Sequence, residues 1–387
     1  MPHKKNIALF TNYLSFGGTE RVISLLCNEL TKYYNINLVL IYNSIEFPLH
    51  EDVNVIVLTN ESYNQKQSLF SKMILFIKTL KNYRMALRTN NIETSISFLV
   101  LPNLINSCAK IFNKKLKTII SERCFPSIMY SSSAFYLRSF KFIVKKFYNK
   151  NDLLFSNSLY INEDLKQNFG LKINAEVLYN PIQITNQTND FISDIELSNE
   201  FNIIIVGRLI EAKNHNGTIE SFSLLPSNYK LDIYGSGSLE NQLKTLTNEL
   251  NLEERIHFKG NVSNIRDYLV KGDCLVLFSN TEGFPNAILE AMSVGLPVIS
   301  SNCMSGPLEL LNENELVKIE PGSFVEAKYG ILVNINDIHG LNKAIQFLES
   351  NKDVRKNYSK KGFERVKDFE VSKIGLEISN LINRIDQ

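Results

Sequence analysis

Short apolar runs alternate with longer segments of helical periodicity along most of the chain. In the first half, apolar runs predict buried strands at 7–10, 36–42, 53–58, 94–99, 117–121, 152–156 and 177–179. Segments with helical spacing of apolar residues lie between most of them, at 20–31, 68–89, 104–112, 134–150 and 159–169. Strands that alternate with amphipathic helices are typical of a doubly wound parallel sheet.

A second alternation of the same kind follows a polar segment. Residues 182–199 are rich in Asn, Gln, Thr and Ser, which is typical of a linker. Beyond it, apolar runs predict strands at 201–206, 231–234, 256–258, 274–278, 298–301 and 329–333, and helical patterns at 266–271, 337–349, 353–367 and 371–385. A chain of 387 residues exceeds what one hydrophobic core normally serves. We therefore expect an α/β protein with domains at 1–180 and 201–370 and a linker at 181–200.

Composition indicates the cellular compartment. The chain has five cysteines, and their spacing is not that of a metal site. We expect them to be reduced structural thiols of a cytosolic protein: Cys27, Cys108, Cys124, Cys274 and Cys303. A strand-length apolar run follows the first six residues directly, so we expect no signal peptide. Its longest apolar segments, 69–80 and 96–112, are interrupted by Lys, Pro or Asn, so neither is expected to span a bilayer.

The small net charge of +2 hides two oppositely charged halves. Residues 1–180 carry 22 Lys and Arg against 12 Asp and Glu, whereas residues 181–387 carry 20 against 28. Because the basic half has no nucleic-acid motif, we expect it to face a membrane or a lipid diphosphate; solubilising charge alone is the alternative. The segment 134–150 mixes aromatic residues with Arg138, Lys141, Lys145 and Lys146, which suits a membrane interface. An ordinary core-packed helix with a solvated basic face fits the same pattern.

Two glutamates mark the candidate chemistry of the second half. Glu282 follows the apolar run 274–278, at the strand end where open parallel sheets bind ligands, and Glu290 lies in the helix that follows. The free backbone N–H groups of that helix start favour an anion. Carboxylates can accept hydrogen bonds from sugar hydroxyls, and free backbone N–H groups can bind phosphate. Together they predict a pocket for a sugar nucleotide. The alternative is a pair of surface glutamates.

Cations and glycines follow other predicted strands. Arg208 and Lys213 lie in the loop after 201–206, where positive charge could stabilise a departing diphosphate. Glycine turns follow the strands at 7–10 and 231–234. The second turn lacks the third glycine of the dinucleotide-binding fingerprint, which argues against a dehydrogenase.

These motifs carry a resemblance to a known family. Glu282 and Glu290, set in E-G-F-P-N-A-I-L-E-A-M-S-V-G-L-P, resemble the E-x7-E signature of retaining GT-B glycosyltransferases of family 4. The segment G-R-x4-K-N that begins at Gly207 resembles the diphosphate clamp of that family, and Gly-Gly-Thr-Glu-Arg resembles its first glycine loop. The run S-G-P-x-E that begins at Ser305 is also similar to one in many members.

The resemblance implies a fold and a set of roles. It implies the GT-B fold, in which two Rossmann-like domains face a cleft and the final helix, 371–387, returns to the first domain. Arg208, Lys213 and Glu282 would be catalytic. The donor-binding positions it implies are Gly17, Gly18, Gly207, Gly235, Gly237, Asn261, Val262, Gly283, Phe284, Pro285, Asn286, Ala287 and Glu290.

The acceptor side of this family would include the loop after the strand at 117–121. There Glu122 could accept a hydrogen bond from an acceptor hydroxyl and Arg123 could hold a phosphate. An exposed ion pair in a turn is the alternative for these two residues.

The resemblance also implies the reaction. We expect retaining transfer of a hexose or N-acetylhexosamine from a UDP-sugar to a glycan or lipid-linked acceptor in bacterial surface polysaccharide synthesis. No D-x-D metal motif occurs in the chain, so we expect no metal or other cofactor. The expected partners are the donor, the acceptor and an anionic membrane at whose inner face the protein would bind, without nucleic acid. A sugar-nucleotide epimerase or hydrolase and a non-catalytic partner subunit are the alternatives.

Overall fold

The computed structural model describes residues 4–15, 17–61, 68–131, 133–184 and 200–386. The chain divides into two compact units, one formed by 1–183 together with 371–387 and the other by 184–370. The predicted linker at 181–200 falls largely on 185–199, which lie outside the described residues.

The first unit is built on a parallel sheet of seven strands. In chain order these are β1 (Asn6–Thr11), β2 (Asn35–Leu40), β3 (Asn54–Val57), β4 (Thr94–Phe98), β5 (Lys117–Glu122), β6 (Leu153–Ser156) and β7 (Ala175–Val177). Their order across the sheet is β3-β2-β1-β4-β5-β6-β7. The chain therefore winds outward from β1 in one direction and from β4 in the other, which is the doubly wound arrangement.

Helices cover both faces of this sheet. They are α1 (Gly18–Leu30), α2 (Leu69–Thr89), α3 (Val100–Phe112), α4 (Pro126–Met129), α5 (Ala134–Lys146), α6 (Leu159–Asp164), which continues as a π-helical turn (Leu165–Phe169), and α14 (Val371–Asp386). Helices α1 and α14 pack together over Leu9 and Leu38. Helices α2 and α3 cover Phe10 and Val39 on the opposite face, because neighbouring residues of a strand point to opposite sides.

Helix α5 lies on the same face as α2 and α3. Its buried residues Phe140 and Val144 pack against Ile120 of β5. Ile120 pairs in register with Ser97 of β4, which pairs with Phe10 of β1, the residue covered by α2 and α3. Residues in register across a sheet share a face, so α2, α3 and α5 form one layer.

The second unit repeats the arrangement. Its strands are β8 (Phe201–Val206), β9 (Tyr229–Tyr234), β10 (Ile256–Gly260), β11 (Cys274–Leu277), β12 (Val298–Ser301), β13 (Phe324–Glu326) and β14 (Ile331–Val333). They lie in the order β10-β9-β8-β11-β12-β14-β13. All neighbours are parallel except the edge strand β13, which pairs antiparallel with β14.

The described residues of the second unit form seven α-helices. They are α7 (His215–Phe222), α8 (Glu240–Glu249), α9 (Arg266–Leu269), α10 (Asn286–Met292), α11 (Pro307–Asn312), α12 (Ile338–Ser350) and α13 (Lys352–Val366). Short 3-10 turns at Glu211–Lys213 and Lys367–Phe369 join some of them. The core combines strand residues such as Ile203 and Val276 with Ile219 of α7 and Leu341 of α12.

The predicted alternation of strands and helices and the doubly wound fold class are confirmed. Several boundaries differ by a few residues, and α5 ends at Lys146 rather than at residue 150. Three larger differences concern other elements. Strand β13 was not predicted, since its three residues are too few to show a period. Helix α4 was also not predicted, and α3 begins at Val100 rather than at residue 104. Pro102 lies in the first turn of α3. Proline has no backbone N–H, and a residue in the first turn of a helix needs none, because its N–H would have no partner within the helix.

Candidate active site

The main cluster of candidate residues lies where the strand order of the second sheet reverses. Strands β8 and β11 are neighbours in the sheet, although two strands separate them in the chain. The chain leaves β8 toward one edge and β11 toward the other, so their following loops diverge at the carboxyl ends. Ligands of open parallel sheets bind at such a switch point. Arg208 and Lys213 follow β8, and Glu282 follows β11.

Lys213 and Glu282 form a direct ion pair at this point. Lys213 Nζ donates to Glu282 Oε1 over 2.5 Å, and the Ser279 hydroxyl donates to the same oxygen over 2.6 Å. The backbone carbonyl of Glu282 accepts from the Ser305 hydroxyl at 2.6 Å. Glu282 is 8% exposed and Glu290 is 5% exposed, so the surface-glutamate alternative is wrong.

The loop that carries Lys213 is fixed at its far end by Asn214. Asn214 has φ of +50°, a left-handed conformation that asparagine tolerates better than most residues. Its side-chain oxygen accepts from the backbone N–H of Gly217 at 3.3 Å and caps α7. The Asn of G-R-x4-K-N thus ends the loop and starts the helix, which places Lys213 one residue before a rigid element.

Arg208 is exposed, and a buried histidine holds its backbone. His215 Nε2 lies 3.0 Å from the Arg208 carbonyl oxygen, so Nε2 carries the proton and donates it. His215 is 3% exposed, and its burial lowers the pKa of the imidazole, which the Lys213 charge also lowers. A neutral imidazole at the start of α7 therefore holds the Arg208 loop. The sequence contained no signal for this role, because a single His after a loop is usually unremarkable.

The glycines after β8 and β9 allow two turns to touch through their backbones. Gly235 has φ of +138°, and a Cβ there would lie 1.9 Å from the carbonyl oxygen of Gly207. A Cβ on Gly237 would lie 2.3 Å from the carbonyl oxygen of Leu209. The Leu209 N–H donates to the Ser236 carbonyl at 3.0 Å. The predicted positions Gly207, Gly235 and Gly237 are thus brought together, and larger side chains would push the Arg208 loop away.

Asn261 lies beside the same turn. Its side-chain amide donates to the Ser236 hydroxyl over 2.8 Å, and the Gly260 carbonyl accepts from the Gly235 N–H over 2.8 Å. Val262 follows directly and is half-buried. The predicted donor positions after β10 are therefore adjacent to those after β9.

The loop between β11 and α10 packs closely against the start of α11. A Cβ on Gly306, which has φ of +89°, would lie 2.5 Å from Pro285 Cδ. Phe284 is 6% exposed, and its ring centroid lies 5.7 Å from that of Phe369. Gly283 lies in this loop, and Asn286 and Ala287 open α10. The predicted positions 283–287 thus form one packed turn beside Glu282.

The candidate acceptor residues of the first unit are buried. Glu122 is 3% exposed and Arg123 is 5% exposed, so the alternative of an exposed ion pair is wrong. Burial raises the pKa of Glu122 to about 7, while hydrogen bonds from the Arg123 N–H at 3.2 Å and the Tyr148 hydroxyl at 3.3 Å lower it. The Arg123 guanidinium donates to the side-chain oxygen of Asn180, and burial lowers its pKa to about 10.

A hydrogen-bond network of buried polar side chains extends from Glu122. The Tyr148 hydroxyl accepts from the Asn103 amide at 3.3 Å, and Asn103 Oδ1 accepts from the Ser97 hydroxyl at 2.8 Å. The Asn106 amide donates to Ser97 Oγ at 3.1 Å, and Asn106 Oδ1 accepts from the Tyr83 hydroxyl at 3.0 Å. The sequence analysis did not predict this hydrogen-bond network. Its signal was the presence of Asn and Ser at positions that the α3 and β4 patterns place in the core.

The first glycine loop lies near Arg123. A Cβ on Gly17 would lie 2.2 Å from Glu20 Oε2, and the Gly17 carbonyl accepts from the Arg21 N–H at 3.0 Å as α1 begins at Gly18. The Glu20 carboxylate is close enough to Arg123 to raise the pKa of the guanidinium, although burial outweighs it. Glu20 therefore joins the predicted Gly17, Gly18 and Arg123 at the carboxyl end of the first sheet. It was not predicted.

The basic helix α5 packs on the core with one face and exposes its cations on the other. Phe140 and Val144 are buried in the core of the first unit, as the structural alternative expects. The predicted membrane residues Arg138, Lys141, Lys145 and Lys146 are all exposed. No helix in the described ranges is long and apolar enough to cross a bilayer. Among the same residues, no three His, Cys, Asp or Glu side chains are grouped so that they could hold a metal ion.

Comparison with known proteins supplies the family. Residues 187–365 match the sequence model of the family described as glycosyl transferases group 1. Over 372 residues the chain is 30% identical to the N-acetylgalactosamine-N,N'-diacetylbacillosaminyl-diphospho-undecaprenol 4-alpha-N-acetylgalactosaminyltransferase of Campylobacter jejuni, which covers 96% of this chain and 97% of the relative. The chain belongs to the glycosyl transferases group 1 family.

Solved structures agree with the fold of this group 1 glycosyltransferase. Sucrose-phosphate synthase from Thermosynechococcus elongatus matches with a TM-score of 0.80 at 17% identity, over 99% of both chains. The Anabaena protein HepE, in complex with UDP and glucose, matches with a TM-score of 0.76 at 18% identity. The match covers 98% of this chain and 100% of the HepE chain. At such identities the likeness shows the fold alone, and that fold is GT-B. The donor and acceptor roles of individual residues stay predictions.

Proposed function

We propose that this glycosyltransferase is a retaining family-4 enzyme that transfers an N-acetylhexosamine or a hexose from a UDP-sugar to a lipid-linked or glycan acceptor. The observation that carries the proposal is the ion pair between the half-buried Lys213 and the buried Glu282 at the switch point of the second sheet. A cation held by a carboxylate, beside the loop of Arg208, is suited to a ligand that carries both hydroxyls and a diphosphate.

The proposed roles of the donor residues follow from their charges. Lys213 and Arg208 stabilise the negative charge that develops on the departing diphosphate, where other enzymes use a metal ion. Glu282 holds Lys213 in position and accepts a hydrogen bond from a hydroxyl of the transferred sugar. Glu290, which is buried in α10, accepts from the ribose. A UDP donor is favoured because the similarly folded HepE is described in complex with UDP and glucose.

The proposed step conserves atoms and configuration. The bond from the anomeric carbon to the diphosphate oxygen breaks, and a bond from the acceptor oxygen forms on the same face. The proton of the acceptor hydroxyl passes to the departing phosphate oxygen, and UDP leaves. The name of the Campylobacter relative specifies an alpha product. For this chain, an α product from an α-linked UDP-sugar would mean retention.

The acceptor is proposed to be a lipid-linked glycan. The printed name of the relative describes a diphospho-undecaprenol acceptor. In this chain, the buried Arg123 guanidinium suits a phosphate and Glu122 suits an acceptor hydroxyl, whether it donates or accepts the hydrogen bond. The exposed cations of α5 would attract the anionic inner face of the cytoplasmic membrane. We propose no metal, no other cofactor and no nucleic acid as partners.

Calorimetric titration with UDP, GDP and ADP, each with and without magnesium, tests the donor. We expect saturable UDP binding that magnesium does not change and that weakens at least about tenfold in Lys213→Ala. Lys244→Ala is the control, because Lys244 forms an ion pair of similar length, 2.7 Å, with Glu240 on the exposed surface of α8. Tighter binding of GDP would contradict the UDP donor, and no nucleotide binding would favour a non-catalytic partner subunit.

Incubation of the bound donor with and without acceptor tests the transfer itself. We expect UDP release that depends on a diphospho-polyprenyl glycan. Release or epimerisation of the sugar without any acceptor would instead identify a hydrolase or an epimerase. The configuration of the product, measured by proton NMR, tests retention.

A further inference from the structure

The first unit exposes an unusual number of large apolar side chains on one helical layer. On α2, Phe70 is 68% exposed, Met73 56%, Ile74 49% and Ile77 59%. On α5, Phe135 is 72% exposed and Tyr136 57%. We define these six residues as the apolar rim. Isolated exposed apolar residues are common, but four of them on one helix, with a second pair at the start of another helix of the same layer, are typical of an interaction surface.

The α2 residues of the rim form a single stripe. Phe70, Met73, Ile74 and Ile77 recur at the spacing that places side chains on one face of a helix. The opposite face contains Tyr83 and Ala86, which are buried in the core of the unit. The core of the unit therefore does not use this stripe, because α2 already contributes its opposite face to the core.

The two parts of the rim lie at the same end of the sheet. Helix α2 ends at Thr89, just before the amino end of β4, and α5 ends at Lys146, shortly before β6. Both helices run antiparallel to the strands, so both start at the carboxyl end. They also belong to the same layer, because Ile120 beneath α5 is in register with Phe10 beneath α2 and α3. The rim thus borders the sheet end that carries Glu122 and Arg123.

Cations follow the rim on both helices. On α2, the exposed face continues after Ile77 through Lys81, Arg84 and Arg88. On α5, Arg138 and Lys141 follow within two turns of Phe135. Neither helix contains an Asp or a Glu. The charged residues of both helices are therefore all basic, and they become more frequent with distance from the carboxyl end of the sheet. Met85 and Phe142 are also exposed in this more basic part.

This gradient matches the chemistry of an anionic lipid surface. Apolar side chains of a peripheral helix enter the boundary between headgroups and acyl chains, and nearby Lys and Arg contact the anionic headgroups. A second copy of the same surface fits less well, because a two-fold contact centred on the rim would use only its apolar residues and leave the Lys and Arg of both copies without an anionic partner. We propose that the apolar rim of α2 and α5 inserts into an anionic membrane and is the membrane-docking element of this protein.

The proposed docking also has a consequence for the acceptor, which rests on the proposed function. A rim that enters the bilayer beside Glu122 and Arg123 brings these residues to the depth of lipid headgroups. A lipid-linked diphosphate would then reach Arg123 without leaving the membrane surface.

Single-tryptophan reporters test the insertion directly, because the chain contains no tryptophan. Phe70→Trp and Phe135→Trp would place the indole in the rim with little change in side-chain character. Leu376→Trp is the matched control, since Leu376 is 51% exposed on α14, on the opposite face of the same sheet. With vesicles of phosphatidylcholine and phosphatidylglycerol, we expect blue-shifted emission and quenching by brominated acyl chains for the two rim reporters only.

Removal of the apolar side chains tests whether the rim drives binding. In vesicle flotation, we expect the double variant Met73→Gln/Ile77→Gln to lose about tenfold or more in partitioning, measured at high salt where the charge attraction is screened. Leu376→Gln should bind like wild type. Circular dichroism checks the fold, and turnover on an acceptor with a short soluble lipid chain should be unchanged in the double variant. This last measurement separates failure of docking from failure of the proposed function.

Three results would overturn the proposal. The first is unshifted emission of both rim reporters while the protein binds vesicles. The second is wild-type partitioning of the double variant. The third is a blue shift that grows with protein concentration in the absence of lipid, with a dimer in sedimentation velocity, which would identify the rim as an interface between copies of the chain.

Discussion

The Lys213 ammonium lies 2.5 Å from Glu282 Oε1, although 69 positions separate the two residues in the chain. Each of them follows a central strand of the second sheet, and Ser279 donates to the same carboxylate oxygen. The carboxylate therefore positions the cation before any donor is bound. A pre-positioned charge needs little reorganisation during the reaction, and this is the basis of its proposed effect on turnover.

Substitution of Lys213 by alanine should lower turnover by about two to three orders of magnitude while the protein stays folded. The lost charge is used mainly when negative charge develops on the diphosphate, so kcat should fall more than the apparent affinity for the donor. Steady-state kinetics with a radiolabelled UDP-sugar measure both. Lys244→Ala should retain wild-type kinetics, and wild-type turnover of Lys213→Ala would remove this residue from the proposed clamp.

Substitution of Gly235 by alanine should destabilise the protein by about 3 kcal/mol or more, because the new Cβ would lie 1.9 Å from the Gly207 carbonyl oxygen. Gly260→Ala is the matched control. Gly260 also has a positive φ, +68°, but a Cβ there would meet no atom within 4 Å. It should lose only about 1 kcal/mol from backbone strain. Urea unfolding measures both, and equal losses would show that the contact between the two turns is unimportant.

The carboxyl of Glu122 should make folding stability depend on pH. Burial raises its pKa to about 7, so between the usual value of 4.5 and about 7 the folded protein keeps a proton that the unfolded chain releases. Stability from this group is therefore complete below 4.5 and is lost as pH rises to about 7.

The variant Glu122→Gln isolates that contribution. The fall in the free energy of unfolding between pH 4.5 and 7.5 should be smaller in this variant by on the order of 3 kcal/mol, from the size of the shift. Glu249→Gln, at an exposed position on α8, is the control for the loss of one carboxylate. Identical profiles for wild type and Glu122→Gln would show that the carboxyl is not buried in solution.

His215 should have the opposite effect. Its burial lowers the pKa below the usual 6.5, so the unfolded chain takes up a proton more readily than the folded protein. Stability from this group is present above 6.5 and is lost as pH falls. His215→Phe should remove this loss at low pH, and at neutral pH it should cost about 1 to 3 kcal/mol, because the Arg208 carbonyl loses its donor. Thermal unfolding across pH measures both effects.

Periodicity was sufficient to predict the fold. Buried strands such as β8 and β11 are continuous apolar runs, and helices such as α12 bury one regular stripe, so local pattern and final structure agree. Glu282, Lys213 and the glycines after β8 and β9 were also found in sequence, because they follow predicted strands. Parallel sheets collect such positions at one edge.

The contacts between these positions could not be predicted. The pairing of His215 with the Arg208 carbonyl depends on the path of a loop, and the proximity of Glu20 to Arg123 depends on which strands are neighbours. Leu99 shows the difficulty in one residue. It lies between β4 and α3 with φ of +73°, a conformation that leucine rarely adopts and that the local sequence does not predict.

The return of the chain to the first unit affects how the protein is made. Helix α14 buries Ile374, Ile378, Leu381 and Ile382 in the same cluster as β1 and α1. During translation, β1 and α1 leave the ribosome first, and this part of their core stays uncovered until the whole second unit has been synthesised. The second unit needs no such late segment and can fold first. Nascent chains therefore expose this apolar surface until their synthesis is nearly complete, which is a period of risk for aggregation.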